Sequence, residues 1–178
     1  MTAVRPTFRT FAYGSNMLSA RLKARCPSAR VLGIAEFPGH QLRWHKRSAD
    51  GSGKCDAVPA SAAQSVFGVV YEIDANEKAA LDQAEGLGHG YDQKGATVIV
   101  NSDTVAVSIY FATRTDPSLK PYSWYKTIVV AGATEHDLPA SYIAGLEAVD
   151  TSEDPDRKRH DRNMRMVTAA GRTCGDQA

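Results

Sequence analysis

The sequence has few cysteines and no long hydrophobic run. Only three cysteines occur among 178 residues, at Cys26, Cys55 and Cys174, and an odd, widely spaced set is not a disulfide framework. No CxxC pair is present for a zinc or dithiol redox site. No apolar stretch approaches the ~18 residues of a membrane-spanning helix, and the N-terminal residues lack the apolar core of a signal peptide. We therefore expect reduced thiols in a cytoplasmic protein.

An excess of charge of either sign is also missing. The chain has 21 Lys and Arg against 20 Asp and Glu, which gives a net charge of +1. Without surplus positive charge, counterion release cannot drive binding to a polyanion, so we expect neither nucleic acid nor a membrane as partner. Hydrophobic residues make up 43% and charged residues 23%, as in a globular protein of about one domain.

Segments with the pattern of β-strands outnumber those with the pattern of helices. Strands are predicted at 7–12, 31–37, 40–46, 55–61, 65–73, 95–100, 104–112 and 127–131, and helices at 17–25, 75–85 and 140–149. Because the strands cluster without regular alternation with helices, the predicted fold class is α+β. The highly charged residues 151–178 are predicted to be a C-terminal tail, a loose helix or a disordered end, after a domain of residues 1–150.

The first candidate site follows the first predicted strand, in the stretch Tyr13-Gly14-Ser15-Asn16-Met17-Leu18. Ser15 or Asn16 is suited to cap the helix that begins there. Successive backbone N–H groups at a helix N-terminus favour an anion such as a carboxylate or a phosphate. An ordinary capped turn would give the same four-residue pattern, so this stretch alone does not decide between the two.

The second candidate is Glu85, at the end of the helix predicted over 75–85. Asp74 and Glu77 resemble a capping box at the start of this helix, and Gly86 is typical of its end. A carboxylate is less favourable at a helix C-terminus, and beside a glycine-rich loop it could face a cavity and act as a general base. A solvated helix end is the structural alternative.

Tyrosine is the third feature, since its hydroxyl could bind a polar ligand or simply pack. The aromatic residues in question are Tyr110, Tyr122, Trp124 and Tyr125. No HExxH, GxSxG or GxxxxGK[ST] motif occurs, and the glycine run at 86–90 follows a helix rather than a strand. The sequence therefore predicts no metal site and no cofactor.

Taken together, three stretches resemble the γ-glutamylcyclotransferase (AIG2-like) family. Phe-Ala-Tyr-Gly-Ser-Asn at 11–16 is similar to the family's substrate-loop signature. Residues 67–73, followed by Leu81-Asp82 and Glu85-Gly86, are similar to the segment that holds its catalytic glutamate, and residues 125–142 resemble its C-terminal part. The motif order is kept over roughly residues 8–150.

The resemblance implies a compact mixed β-barrel-like sheet with flanking helices. It implies a cofactor-independent enzyme of glutathione metabolism that cyclises a γ-glutamyl amide to 5-oxoproline, with Glu85 as general acid/base. The substrate would be bound by the loop and two tyrosines: Tyr13, Gly14, Ser15, Asn16, Met17, Leu18, Tyr110 and Tyr125. The sequence YGSN resembles the branch that acts on γ-glutamyl amino acids more than the γ-glutamylamine branch, whose loop more often reads YGTL. A homodimer is also consistent with the family.

Other functions stay open at this point. A related cyclotransferase could act on a larger γ-glutamylated metabolite, such as an amine or an antibiotic precursor. A binding module could keep the anion-binding loop without turnover, although the presence of Glu85 argues against it. A nucleotide or phosphate site at residues 13–18 would be detected as thermal stabilisation by phosphates.

Overall fold

A closed five-stranded β-barrel forms the centre of the molecule. The computed structural model describes residues 5–173, with the barrel strands in the order β1-β5-β2-β6-β7. Neighbouring strands are antiparallel except β1 and β7, which pair in parallel at Thr10 and Ser108 and close the barrel. The barrel strands are β1 (Thr7–Ala12), β2 (Arg30–Pro38), β5 (Ser65–Asp74), β6 (Tyr91–Val100) and β7 (Asp103–Ala112).

Within residues 5–173, a two-stranded sheet and five helices surround the barrel. The small sheet pairs β3 (His40–Arg47) with β4 (Gly53–Pro59). The helices are α1 (Ser19–Lys23), α2 (Lys78–Glu85), α3 (Ser123–Glu135), α4 (Ala140–Glu147) and α5 (Arg157–Thr173), with short 3₁₀ turns at Ser15–Met17 and Ala75–Glu77. No helix among the described residues has both the length and the apolar character needed to cross a membrane.

Strand β5 is an apolar run because both of its faces are covered. Val69, Val70 and Tyr71 are all fully buried, which requires packing on alternate sides of the sheet. On one face Phe67 contacts the ring of Tyr142 and Tyr71 contacts that of His136. This face therefore carries the helical layer, and the predicted α+β class is confirmed.

Helix α3 overturns the strand predicted at 127–131. Its β-branched run favours a strand locally, but the segment lies inside a 13-residue helix. Tyr125, Ile128, Val129 and Gly132 are buried at helical spacing. Tertiary packing of the helix against the turn at Ser15–Met17 and against its neighbouring helices therefore outweighs the local preference for a strand.

Neither predicted helix cap is formed. Helix α1 begins after Leu18, and the 3₁₀ turn at Ala75–Glu77 begins after Asp74, in both cases without a capping side chain. Glu77 instead accepts a 2.7 Å hydrogen bond from the hydroxyl of Ser28, whose Oγ accepts the N–H of Asp74 at 2.9 Å. A contact across 49 residues thus replaces the local one, which is why the pattern Asp-x-x-Glu misleads here.

The charged segment after Asp150 is helical over Arg157–Thr173 and lies against α3 and α1. Just before this helix, buried Asp154 accepts hydrogen bonds of 2.7 Å from Trp124 Nε1 and from Arg159 Nε. The division of the chain at residue 150 stays a prediction. Cys26 and Cys55 are buried thiols, and Cys174 lies outside the described residues.

Candidate active site

The loop after β1 and the end of α2 meet at one hydrogen-bonded cluster. Asn16 Nδ2 donates to Glu85 Oε1 at 2.5 Å, although the two residues are 69 positions apart. Arg25 Nη1 donates to both partners, at 2.7 Å to Asn16 Oδ1 and at 3.0 Å to Glu85 Oε1. The loop and the carboxylate therefore share one location, as their proposed joint role requires.

Glu85 is held by one of its two oxygens. Oε1 takes both donors, whereas Oε2 makes no hydrogen bond to any residue of 5–173. The side chain is 17% exposed, and Gly86 ends the helix beside it in the left-handed conformation, at φ 70°. The carboxylate is therefore oriented through Oε1 and leaves Oε2 for a ligand or for proton transfer.

A narrow cleft of about 40 Å³ lies between these elements. The structure brings seven of the sequence-predicted residues to its walls: Tyr13, Gly14, Ser15, Asn16, Glu85, Tyr110 and Tyr125. Met17 and Leu18 are not among them, because their side chains are fully buried in the core. Those two residues support the loop from below instead.

The loop backbone is fixed from beneath. The hydroxyl of Tyr71 donates to the carbonyl oxygen of Met17 at 2.8 Å, and His136 Nε2 lies 2.9 Å from the same oxygen. Gly132 of α3 faces the loop so closely that an added Cβ would lie 2.5 Å from the amide nitrogen of Leu18. A glycine is therefore required there for the helix to support the loop.

Three amide groups of the loop remain available. Met17 N–H bonds to Gly14 O at 3.0 Å, but no residue within 5–173 accepts from the N–H of Gly14, Ser15 or Asn16. At Gly14 an added Cβ would lie 3.1 Å from Tyr125 Oη and 3.2 Å from Cys55 Cβ. Glycine thus keeps the cleft open beside a set of amide donors that suits an anion.

Buried tyrosines form the other walls and remain protonated. Burial raises the pKa of Tyr13, Tyr91 and Tyr125 well above 10. Tyr13 donates to the carbonyl of Tyr110, and Tyr91 donates to the carbonyl of Cys55 at 2.6 Å. Tyr125 Oη instead accepts the N–H of Cys55 at 3.2 Å and lies beside the thiol of the same residue. Its hydroxyl therefore lines the cleft as a neutral phenol.

Tyr110 lines the cleft without presenting its hydroxyl to it. Its Oη donates to Asp82 Oδ1 at 2.6 Å, and burial, with the Asp82 carboxylate next, raises its pKa. Because its proton is engaged by Asp82, binding of a polar ligand by this hydroxyl stays a prediction. The residue contributes its ring, and its carbonyl oxygen anchors Tyr13.

A wider, charged vestibule of about 220 Å³ adjoins the cleft and shares Ser15, Glu85, Tyr91 and Tyr125 with it. Its cations are Arg21, Arg25, Lys46 and Lys54. Sequence reasoning missed Tyr91 and both lysines. The only signal for the lysines is a polar, glycine-rich loop predicted at 48–54, which Lys46 precedes and Lys54 ends.

The groups assembled here define the chemistry that the site can perform. One carboxylate can take and return a proton, three amides can donate to a substrate, and nearby cations favour negative charge. Within the described chain, no three His, Cys, Asp or Glu side chains are grouped so that they could hold a metal ion. The arrangement suits proton transfer on a small substrate that carries a carboxylate.

Comparison with known proteins identifies the family. The γ-glutamylcyclotransferase of Homo sapiens is 30% identical, over 83% of this chain and 81% of that protein, and the Mus musculus one is 28% identical over the same shares. The model of the AIG2-like family matches residues 65–146. The chain belongs to the AIG2-like γ-glutamylcyclotransferase family. A solved structure of a γ-glutamyl cyclotransferase superimposes with a TM-score of 0.81 at 25% identity, over 90% of this chain and 99% of that one. The fold implied by the resemblance is thus confirmed.

Proposed function

We propose that the protein is an active γ-glutamylcyclotransferase, which cyclises a γ-glutamyl amino acid or amine to 5-oxoproline and releases the amine. The observation that carries this proposal is the meeting of Glu85 with the loop at residues 13–16 across one cleft. Membership of the family supports the reaction class. No enzyme nucleophile is needed, because the substrate carries both its nucleophile and its electrophile.

The reaction begins when the α-ammonium of the γ-glutamyl group gives a proton to Oε2 of Glu85. The free amine then attacks the γ-carbonyl carbon, and the new C–N bond closes a five-membered ring. As the original amide C–N bond breaks, the protonated Glu85 returns its proton to the leaving nitrogen. Its carboxylate then takes the second proton from the ring nitrogen and passes it to the released amine, which leaves as an ammonium. Charge and atoms balance, and the carboxylate is regenerated.

The loop and the phenol hold the substrate folded. The N–H groups of Gly14, Ser15 and Asn16 bind either the α-carboxylate or the oxyanion that develops on the γ-carbonyl. Tyr125 adds a neutral phenol to the wall of the same cleft. Because the amine and carbonyl belong to one molecule, holding it in the closing conformation lowers the barrier chiefly by proximity.

A larger γ-glutamylated metabolite remains the second candidate substrate. The vestibule, at about 220 Å³ against about 40 Å³ for the cleft, leaves room for a bulky amine side. The precise orientation of Glu85 favours turnover over a purely binding role. A cytoplasmic location and a homodimer stay predictions.

The test is the variant Glu85→Gln, with Glu147→Gln as its control. Glu147 is also the last residue of a helix, α4, but is exposed and outside the cleft. Release of 5-oxoproline from γ-glutamyl-alanine should fall about 100- to 10,000-fold in kcat for Glu85→Gln and stay near wild type for Glu147→Gln. Circular dichroism checks the fold of both variants. Wild-type turnover by a folded Glu85→Gln variant would remove Glu85 from its role.

A further inference from the structure

Lys46 is a buried residue whose ammonium has no ion-pair partner within residues 5–173. The residue is only 9% exposed and lines the vestibule. No carboxylate of the described residues lies within 4 Å of Nζ, and none of their polar atoms accepts a hydrogen bond from it. The ammonium instead lies 4.6 Å from the centre of the Tyr91 ring. It also lies against Gly90, where an added Cβ would approach Nζ to 2.8 Å.

The other cations of the vestibule differ in their partners. Lys54 pairs with Asp50 at 2.9 Å, and Arg25 pairs with Glu85 at 3.0 Å. Arg21 has only neutral partners, the hydroxyl of Ser15 at 3.1 Å and the amide oxygen of Asn163 at 3.3 Å. Four cations thus face two carboxylates, and the two unneutralised charges are those of Lys46 and Arg21.

Burial makes both charges costly. Loss of water lowers the pKa of Lys46 below 10.5, and loss of water together with the charge of Arg25 lowers the pKa of Arg21 to about 10. Glu85 offsets only part of these shifts. A buried cation without an anionic partner destabilises the folded chain. Two such cations in one open vestibule therefore favour a ligand that carries negative charge.

We propose that the vestibule is a binding subsite for an acidic leaving group, so that the preferred substrates are γ-glutamyl conjugates of an acidic amino acid. This inference rests on the proposed function, which places the γ-glutamyl head in the cleft and the released amine towards the vestibule. The α-carboxylate and the side-chain carboxylate of the leaving residue then neutralise Lys46 and Arg21. Lys46 is the main ligand because its Nζ has all of its donors free.

The experiment compares two nearly isosteric dipeptides, γ-glutamyl-glutamate and γ-glutamyl-glutamine, which differ by one negative charge. Wild-type kcat/KM should favour the glutamate conjugate by about tenfold or more, the usual effect of a charge-assisted contact. The preference should fall towards one in Lys46→Met and recover in Lys46→Arg. Lys94→Met, which alters an exposed lysine of β6 outside both cavities, should keep the wild-type preference.

The outcomes separate this inference from the proposed function. Turnover of both dipeptides with equal kcat/KM overturns the acidic subsite and leaves the cyclotransferase standing. If neither dipeptide is turned over, calorimetry on the same pair decides. Tighter binding of γ-glutamyl-glutamate, lost in Lys46→Met, supports the subsite alone. Equal or absent binding overturns the subsite, and the assay with γ-glutamyl-alanine then decides on the cyclotransferase. Should Lys46→Met fail to fold, Arg21→Gln and a loss of the wild-type preference at high salt test the same charges.

Discussion

The cleft and the vestibule differ in how their polar groups are satisfied. In the cleft the protein itself holds the side chains: Tyr13 bonds to the carbonyl of Tyr110, Tyr91 to that of Cys55, and Glu85 to Asn16 and Arg25. Only the loop amides and Glu85 Oε2 are left for the substrate. In the vestibule no carboxylate of residues 5–173 lies within 4 Å of the ammonium of Lys46. The cleft is thus pre-organised before the substrate arrives, whereas the vestibule is completed by it. Changes in the cleft should act mainly on kcat, and changes in the vestibule mainly on the choice of leaving group.

After Glu85→Gln, the largest effect is expected from filling the cleft with Gly14→Ala. The new methyl would lie 3.1 Å from Tyr125 Oη and 3.2 Å from Cys55 Cβ, so the substrate could no longer sit against the amides. We expect kcat/KM for γ-glutamyl-alanine to fall about 100-fold, as for a misplacement near 1 Å. Gly95→Ala on β6, where an added Cβ meets nothing within 4 Å, is the control. Near-wild-type activity of Gly14→Ala would show that the cleft adapts to the added methyl group, which would contradict its pre-organisation.

Gly132→Ala tests the same comparison by disturbing the support beneath the loop. Its Cβ would lie 2.5 Å from Leu18 N and 2.8 Å from Met17 C, so backbone must move. The free energy of unfolding should fall by about 1–3 kcal/mol, and kcat should fall with it because the loop shifts. In α4, Gly145→Ala meets no atom within 4 Å and should stabilise by about 0.5–1 kcal/mol through helix propensity. Denaturant unfolding measures both, and equal stabilities would refute the support that we assign to Gly132.

The smallest effect concerns the wall of the vestibule and depends on pH. Hydrogen bonds from Arg159 hold the pKa of Asp154 well below its usual range, and the same carboxylate binds Trp124, which lines the vestibule. A lowered folded-state pKa adds stability above the unfolded value of about 3.9, and this stability is lost as pH falls below that value.

The variant Asp154→Asn should therefore lower Tm by a few degrees at pH 6, and its deficit against wild type should shrink towards pH 3. Thermal unfolding across this range measures the difference. Asp161→Asn, on the exposed face of α5, should show no such trend. A constant Asp154→Asn deficit at every pH would mean that the carboxylate contributes packing rather than charge.

The parts of the site that could be predicted from sequence are those specified by neighbouring residues. Gly86 marks the end of α2 and so places Glu85 at a helix terminus, and the turn at Tyr13–Asn16 follows a strand predicted with its observed bounds, Thr7–Ala12. The contact between this turn and Glu85 is only an expectation from the sequence, because it forms when the barrel brings the two elements together.

Long-range packing determines the remaining features of the site and the fold. Lys46 lies beside Tyr91 because the end of β3 approaches the start of β6 and the segment after β7, where Lys46 forms a bridge with Thr115. No local pattern encodes that approach. Similarly, Ser28 draws Glu77 away from its predicted cap. The helical stripe of α3 competes with a β-branched sequence, and only the surface that it buries decides between them.

The parallel closure of the barrel has a consequence for biosynthesis. Thr10 pairs with Ser108, and Tyr13 bonds to a carbonyl 97 residues further along the chain. At roughly 5–20 residues per second, a ribosome needs about 5–20 seconds after making the loop to supply its opposite wall. During that interval the loop amides have no cleft to line. The substrate therefore cannot bind and stabilise a nascent chain before the last barrel strand emerges.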